Sequence, residues 1–285
     1  AVNMAFALSD DLQKPVQLLD CDVEQPNCHL FVRPEGRMCR VVGAGKPDWN
    51  ADVCNHCGRC AEACRFNALA ALQDEIMIFP ELCHGCGACN YVCPTGAMGE
   101  TRANVGTVET GRRDALQFTC GTLNLGQVLT PLVIGAVRDH VQPDAVNIID
   151  AAPGTACAAA AGIEGADVAV LVTEPTPFGA HDLALAIDLC ADLGVPCGIV
   201  INRSDGRDEI IDELAETTGT PIIGRLPYRR AWAECYARGG VIVQEHEKMR
   251  ATLLDIYEHC RELARLKPPA RGVTPALAPD APPEP

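Results

Sequence analysis

The chain has 285 residues, 48% of them hydrophobic, enough for a packed core in one large or two modest domains. A formal net charge of -15 opposes nucleic acid, anionic membrane surfaces and acidic partners, all of which attract through Lys and Arg. Seventeen cysteines in so long a chain argue against a small disulfide-stapled secreted fold and for a reducing, cytoplasmic setting.

The opening AVNMAFALSDD has no basic flank and no small-residue cleavage site, so it does not read as a signal peptide, and no stretch of the chain is long and apolar enough to span a bilayer. Val2 and Phe6 already sit at helical spacing with no capping residue before them, so the chain is expected to begin inside a helix. Lys14-Pro15 ends that pattern, and VQLLD, residues 16–20, reads as a short buried strand. It runs into Asp20, Asp22 and Glu24. Carboxylates at the C-terminal end of a parallel strand lie where open α/β sheets bind ligands, and a solvated acidic loop fits the same residues equally well.

Residues 37–98 interrupt this pattern. Cys54, Cys57, Cys60 and Cys64 form a C-x2-C-x2-C-x3-C run, and Cys83, Cys86, Cys89 and Cys93 repeat it 29 positions on, followed by Pro94. Gly58 matches Gly87 and Ala68 matches Ala97 in the same offset. Soft thiolates at this spacing suit iron-sulfur clusters. A disulfide framework and a pair of zinc sites are the competing readings; zinc sites generally use two separated pairs of ligands, whereas three cysteines at successive three-residue steps crowd one tetrahedral ion. The run resembles the ligand pattern of bacterial ferredoxins, in which the fourth cysteine reaches the other cluster. That resemblance implies two 4Fe-4S clusters with crossed ligands: Cys54, Cys57, Cys60 and Cys93 on one, Cys83, Cys86, Cys89 and Cys64 on the other. Arg65 stands where the usual Pro would follow the first run.

From Thr107 the chain returns to strands and helices. TVET and ALQFT form an expected strand pair turning at Gly111 to Asp114, followed by a helix from Gly126 to Asp139 with Leu129, Leu132, Val133 and Ala136 on one face. VNIID ends at Asp150 and DVAVLVTEP at Glu174; a helix with Leu183, Ala186, Ile187 and Cys190 on one face follows. PCGIVINRSD, ending at Asn202, a helix over 207–217, the strand PIIGRLPY, a helix near Ala231 and a last helix over 247–266 complete the pattern. Strands alternating with amphipathic helices predict an α/β fold with a mostly parallel sheet covered on both faces. Residues 267–285 are rich in Pro and Ala without periodicity and read as a disordered tail.

The segments LLDCDVEQPN, IIDAAPGTAC, VTEPTPFGAHDL, INRSD and LPYRRAWAECYARG, in this order around two ferredoxin runs, resemble the MinD/ParA/Mrp-type P-loop ATPases carrying an inserted ferredoxin domain. The resemblance implies a P-loop ATPase-like α/β domain over 1–36 and 99–266, with the insert over 37–98. It also implies ATP and Mg2+ as ligands. Asp22 would orient the attacking water, with Asp20 near the metal; Asp150 would hold Mg2+ through water. Gly154 and Thr155, after Pro153, would sense the γ-phosphate, Asn202 would bond the adenine edge, and Pro227 would lie in a second base-binding segment. Phosphoryl transfer asks for this kind of metal and water positioning. The family's G-K-G-G-T-G-K-T loop, which would lie just before the first helix, is absent from this chain, as is the strand preceding it, and Lys14, Lys46, Lys248 and Lys267 lie in unrelated contexts. An incomplete chain and a protein that has lost nucleotide binding are the two explanations.

Of nine further cysteines most read as small buried hydrophobes, with Cys157, just past the Asp150 switch, open to a bridging role on a dimer face. His56 and His84 tune the clusters or face solvent, and His181 reads as a surface residue. The functional expectation is an iron-sulfur protein coupling nucleotide state to electron transfer or cluster delivery. Its partners would be a redox or cluster-accepting protein and a second copy of itself. The alternatives are a plain ferredoxin-type electron carrier on a nucleotide-incompetent scaffold, and a metallocluster assembly factor.

Overall fold

The structure is a computed structural model that describes residues 1–266; the expected tail over 267–285 lies outside them. In chain order it comprises α1 (Val2–Asp11), β1 (Val16–Asp20), α2 (His29–Val32), β2 (Glu35–Trp49), α3 (Arg59–Ala63), β3 (Leu69–Ala71), β4 (Ile76–Ile78), α4 (Ala88–Tyr91), β5 (Met98–Arg113) and β6 (Leu116–Leu123). Then follow α5 (Thr130–Arg138), β7 (Val146–Asp150), α6 (Cys157–Ile163), β8 (Ala169–Thr173), α7 (Pro177–Asp192), β9 (Cys197–Ser204), α8 (Glu209–Thr218), β10 (Ile222–Pro227), α9 (Arg230–Ala237), α10 (Ile242–Glu245) and α11 (Glu247–Arg265).

The apolar run of β1 is buried at all five residues because it has a parallel neighbour on each side, β6 and β7, and helices on both faces. Successive strand side chains point to opposite faces, so Val16 and Leu18 pack with α1, α10 and α11, while Leu19 and Cys21 pack with Val133, Ile134 and Val137 of α5. The order β2-β5-β6-β1-β7 makes one sheet; β10-β9-β8, all parallel, make another. Both contribute to the core under α1 and α11, where Phe6, Leu18 and Val146 meet Val200, Ile223 and Ile256. On its other face the second sheet is covered by α7 and α8 through Leu183, Ile187, Ile199, Ile201 and Ile211. Between the two sheets the ladder is interrupted. Among the described residues β7 pairs only with β1 and β8 only with β9, and Val170 and Val172 of β8 are 38% and 63% exposed.

Two helices differ from the sequence expectation. α5 starts at Thr130, because Pro131 lacks an N–H and is tolerated only in a first turn; its buried face is Thr130, Val133, Ile134 and Val137, and Leu132 is exposed. α6 was not foreseen. CAAAAGI is too uniform to show an amphipathic period, yet four alanines are strong helix formers, and Gly162 packs against Ala151 where a Cβ would come within 2.8 Å.

The central cysteine segment is carried on a long ribbon. β2 pairs antiparallel with β5 from Glu35 opposite Arg112 to Trp49 opposite Met98, whereas β6 supports β5 only from Gly106 onward. Residue 37 thus lies inside β2 and residue 98 opens β5. The unsupported stretch, residues 43–49 against 98–104, projects roughly 20–25 Å from the sheet at the usual strand rise. At its tip sit α3, α4 and the small β3/β4 pair around Cys60, Leu69, Ile76 and Met98.

Candidate iron-sulfur centres and strand-end carboxylates

Two pockets open in the tip. One is lined by Cys54, Cys57, Cys60 and Cys93 with Gly58, Pro94 and Met98; the other by Cys83, Cys86, Cys89 and Cys64 with Gly45 and Pro47 of β2. Each therefore brings together three cysteines of one run and the last of the other. The crossing has a local cause. α3 and α4 pack against each other; each begins just after its run's second cysteine and carries the third, and the fourth follows its C-terminal end, so it emerges on the far side.

The backbone repeats with the cysteines. His56 and Gly85 both adopt left-handed φ values, 53° and 66°, and so do the helix-starting Gly58 and Gly87 at 75° and 73°. At the first pair the left-handed turn aims a backbone N–H at sulfur: His56 N donates to Cys54 Sγ at 3.4 Å and Gly85 N to Cys83 Sγ at 3.3 Å. Ala68 N donates to Cys64 Sγ at 3.3 Å and Met98 N to Cys93 Sγ at 3.4 Å. N–H bonds to sulfur favour thiolate. Burial pushes the Cys60 and Cys89 thiols up. Burial also pushes up on Cys93, but the N–H groups of Met98, Thr95 and Ala97 and the Thr95 hydroxyl outweigh it and hold that thiol below its ordinary range. Four thiols around each pocket, with sulfur-directed N–H donors, fit the ligand demand of a 4Fe-4S cube. His56 lies edge-on to Trp49 at 6.2 Å between ring centres, and His84 stacks on Phe66 at 3.9 Å.

The second group of candidates lies at the C-terminal ends of the parallel strands. Asp20 and Asp150 are register partners on β1 and β7, and Cys21 N donates to Asp150 O at 2.8 Å. Asp20, 1% exposed, accepts from Asp22 N at 3.3 Å through Oδ1 and from Asn27 N and Cys28 N at 3.1 and 3.0 Å through Oδ2. Its carboxylate closes the 20–28 loop on itself. The Cys28 thiol, fully buried, donates to Asp150 Oδ2 at 2.8 Å, and the three ligating atoms lie within 4.8 Å of one another. Cys28 had been grouped with the small buried hydrophobes; nothing in Pro26-Asn27-Cys28 signals that the loop folds its thiol back onto the neighbouring strand. Burial, then the two carboxylates, push the Cys28 thiol up and keep it a donor. Asp22 is half-buried, and burial outweighs the Gln25 N–H in pushing its carboxyl up.

Burial, reinforced by Asp150, pushes the Asp20 carboxyl to about 6 against three N–H donors that favour its ionised form. The folded state then holds this proton more tightly than the unfolded chain. Asp20's contribution to stability is greatest below about pH 4 and is lost as pH rises through about 6, a loss on the order of 3 kcal/mol. Thermal unfolding followed from pH 4 to 8 should show this fall in the wild type and a flatter profile in Asp20→Asn; equal slopes would contradict it.

The remaining candidates are spread along the same strand-end side. Gly154 and Thr155 are exposed in the turn after β7, with Gly154 at φ 86°, and Cys157 is exposed at the start of α6. Asn202 lies opposite Leu226 on β9, and Pro227 opposite Ser204 at the end of β10. They are neighbours of each other on the second sheet, whereas Asp20, Cys28 and Asp150 meet on the first. His181 is exposed. Among the described residues no helix is long and apolar enough to cross a membrane.

Comparison with known proteins bears on the cysteine segment and on the fold of the body. Residues 53–97 match the 4Fe-4S dicluster domain family. An uncharacterized protein of Methanocaldococcus jannaschii is 28% identical over 225 residues, covering 78% of each chain. The cell division ATPase MinD of Pyrococcus furiosus superposes with a TM-score of 0.51 at 18% identity, covering 92% of this chain and 91% of that one. A ParA family ATPase from Chlorobium tepidum TLS gives 0.50 at 15% identity over 92% of each chain. At these identities the solved structures speak for the fold. The chain thus joins a segment similar to the 4Fe-4S dicluster domain family, over residues 53–97, to a body with the fold of the MinD and ParA ATPases.

Proposed function

We propose that this protein holds two 4Fe-4S clusters and links electron transfer or cluster delivery at the ribbon tip to nucleotide state at the strand-end carboxylates. When bound, such clusters supply one-electron redox chemistry. In this reading Cys54, Cys57, Cys60 and Cys93 hold one, and Cys83, Cys86, Cys89 and Cys64 the other. Asp150 takes Mg2+ through water, Asp22 orients the attacking water, and Asp20 fixes the loop between them. Gly154 and Thr155 answer to the γ-phosphate; Asn202 and Pro227 receive the base. The partner is a redox or cluster-accepting protein, with a second copy of this chain as a further candidate, in a cytoplasmic setting.

The observation that carries the coupling is the continuity of the ladder. β5 is hydrogen-bonded to β2 along the ribbon and to β6 in the body, β6 pairs with β1, and β1 ends at Asp20. A displacement of the Asp20–Asp150 edge therefore reaches the cysteine tip through backbone hydrogen bonds. The plain electron-carrier reading keeps one observation in its favour. The strand ends gather Asp20, Asp22 and Asp150, and among the described residues no Gly-rich, Lys-bearing loop faces that negative charge.

The two readings separate in calorimetry. Residues 1–285 alone are expected to bind MgATP no better than millimolar. The same protein extended upstream by one strand and a G-K-G-G-T-G-K-T loop should bind it at micromolar concentration and hydrolyse it. In the extended protein Asp150→Asn should abolish Mg2+-dependent turnover and leave iron content unchanged. Micromolar, Mg2+-dependent binding by residues 1–285 would overturn the assigned phosphate site, and an extended protein that still failed to bind would favour the electron carrier.

A further inference from the structure

Lys46 is buried in the ribbon at 4% exposure, an uncommon place for an ammonium. Its Nζ donates to Pro80 O at 2.9 Å and to Cys83 O at 2.7 Å, which repays part of the lost hydration. Gly85 makes the approach possible: a Cβ there would lie 3.0 Å from Gly45 O, so the loop of the second cysteine run rests directly on β2. With the carbonyl of Cys83 as its acceptor, Nζ is held within about 7 Å of the Cys83 thiol by covalent geometry. The other pocket has no counterpart. The basic residue in its lining, Arg59, is exposed.

We infer that Lys46 is a positioning residue for charge: it raises the midpoint potential of the cluster held by Cys83, Cys86, Cys89 and Cys64 relative to its neighbour. This rests on the two-cluster reading above. One-electron reduction adds a unit of negative charge to a cluster, and a fixed ammonium in a poorly solvated setting stabilises that reduced state. Arg59 at the first pocket and Glu100 at the second act in the opposite sense. Both are exposed, so water and salt screen them, while Lys46 is shielded from both.

The test is a dithionite titration of the cluster-loaded full chain followed by electron paramagnetic resonance, with the two signals told apart by which one survives Cys57→Ser. Iron is counted first. About eight irons per chain support two clusters; a count near four would overturn that reading by itself. At eight irons, Lys46→Met should lower the reduced-to-oxidised ratio of the Cys83-run cluster at least tenfold at a fixed poise, a shift of ~59 mV for one electron. The other signal should stay in place, and Lys46→Arg should keep the wild-type midpoint. An unchanged ratio in Lys46→Met, or an equal shift of both signals, would overturn the proposal. Lys46→Gln, which keeps one donor group, serves if the Met variant loses iron; loss from both neutral variants would make Lys46 a structural clamp and also overturn it.

Discussion

Cys93→Ser is expected to remove about four of about eight irons from the anaerobically purified protein, and to remove them from the pocket of Cys54, Cys57 and Cys60, in the other cysteine run. The pockets make this a sharp expectation. Cys93 lines the first pocket although it belongs to the second run, and Cys64 does the reverse. N–H donors also hold the Cys93 thiol below its ordinary range, which favours the thiolate a cluster ligand needs. Spectroscopy should find the Cys83-run cluster intact. If the damage fell on that cluster and spared the other, the crossed assignment would be wrong.

Removing the iron altogether should have the larger structural effect. The small core of the tip consists of Cys60, Leu69, Ile76 and Met98, padded by Trp49, Ile78 and the proposed ligands Cys54, Cys64, Cys89 and Cys93. Much of what this segment buries is therefore the ligands themselves, and so few apolar residues cannot offset the chain entropy of ordering it without the clusters. On chelation, amide protection over residues 54–97 should fall toward that of an unstructured chain. Protection in β1, β6, β7 and β9 should persist, because those strands belong to separate cores. Exchange monitored by mass spectrometry decides this, and unchanged protection across the tip would sink the idea.

The sequence disclosed these features to different degrees, and the physics explains the differences. A short, mostly apolar run after Pro15, VQLLD, predicted β1 as a strand buried on both faces, and the helical spacing of Leu183, Ile187 and Cys190 predicted α7 because burial of one helix face leaves a pattern. The cysteine runs were legible because ligand spacing is local. α6 was missed because alanines carry propensity without a pattern; on α5 the expected Leu129, Val133 and Ala136 do pack into the core, while Leu132 turns outward and the start moves to Thr130 because of Pro131. The bond from Cys28 to Asp150 joins residues far apart in the chain, and Lys46 was weighed in the sequence only as a stand-in for a phosphate-binding lysine, not for its contact with the Cys83 loop. Long-range contacts of this kind leave no spacing to read.

The ribbon of β2 and β5 has a mechanical consequence. Stretching an antiparallel ladder means lengthening hydrogen bonds along its whole run, whereas two-stranded ribbons twist readily. Beyond Gly106, where β6 no longer braces it, the ribbon acts as a torsion bar: it fixes how far the cysteine tip stands from the body and leaves its angle compliant. The distance from sheet to tip is thereby set by the ladder, and the orientation of the tip about the ribbon axis by the twist.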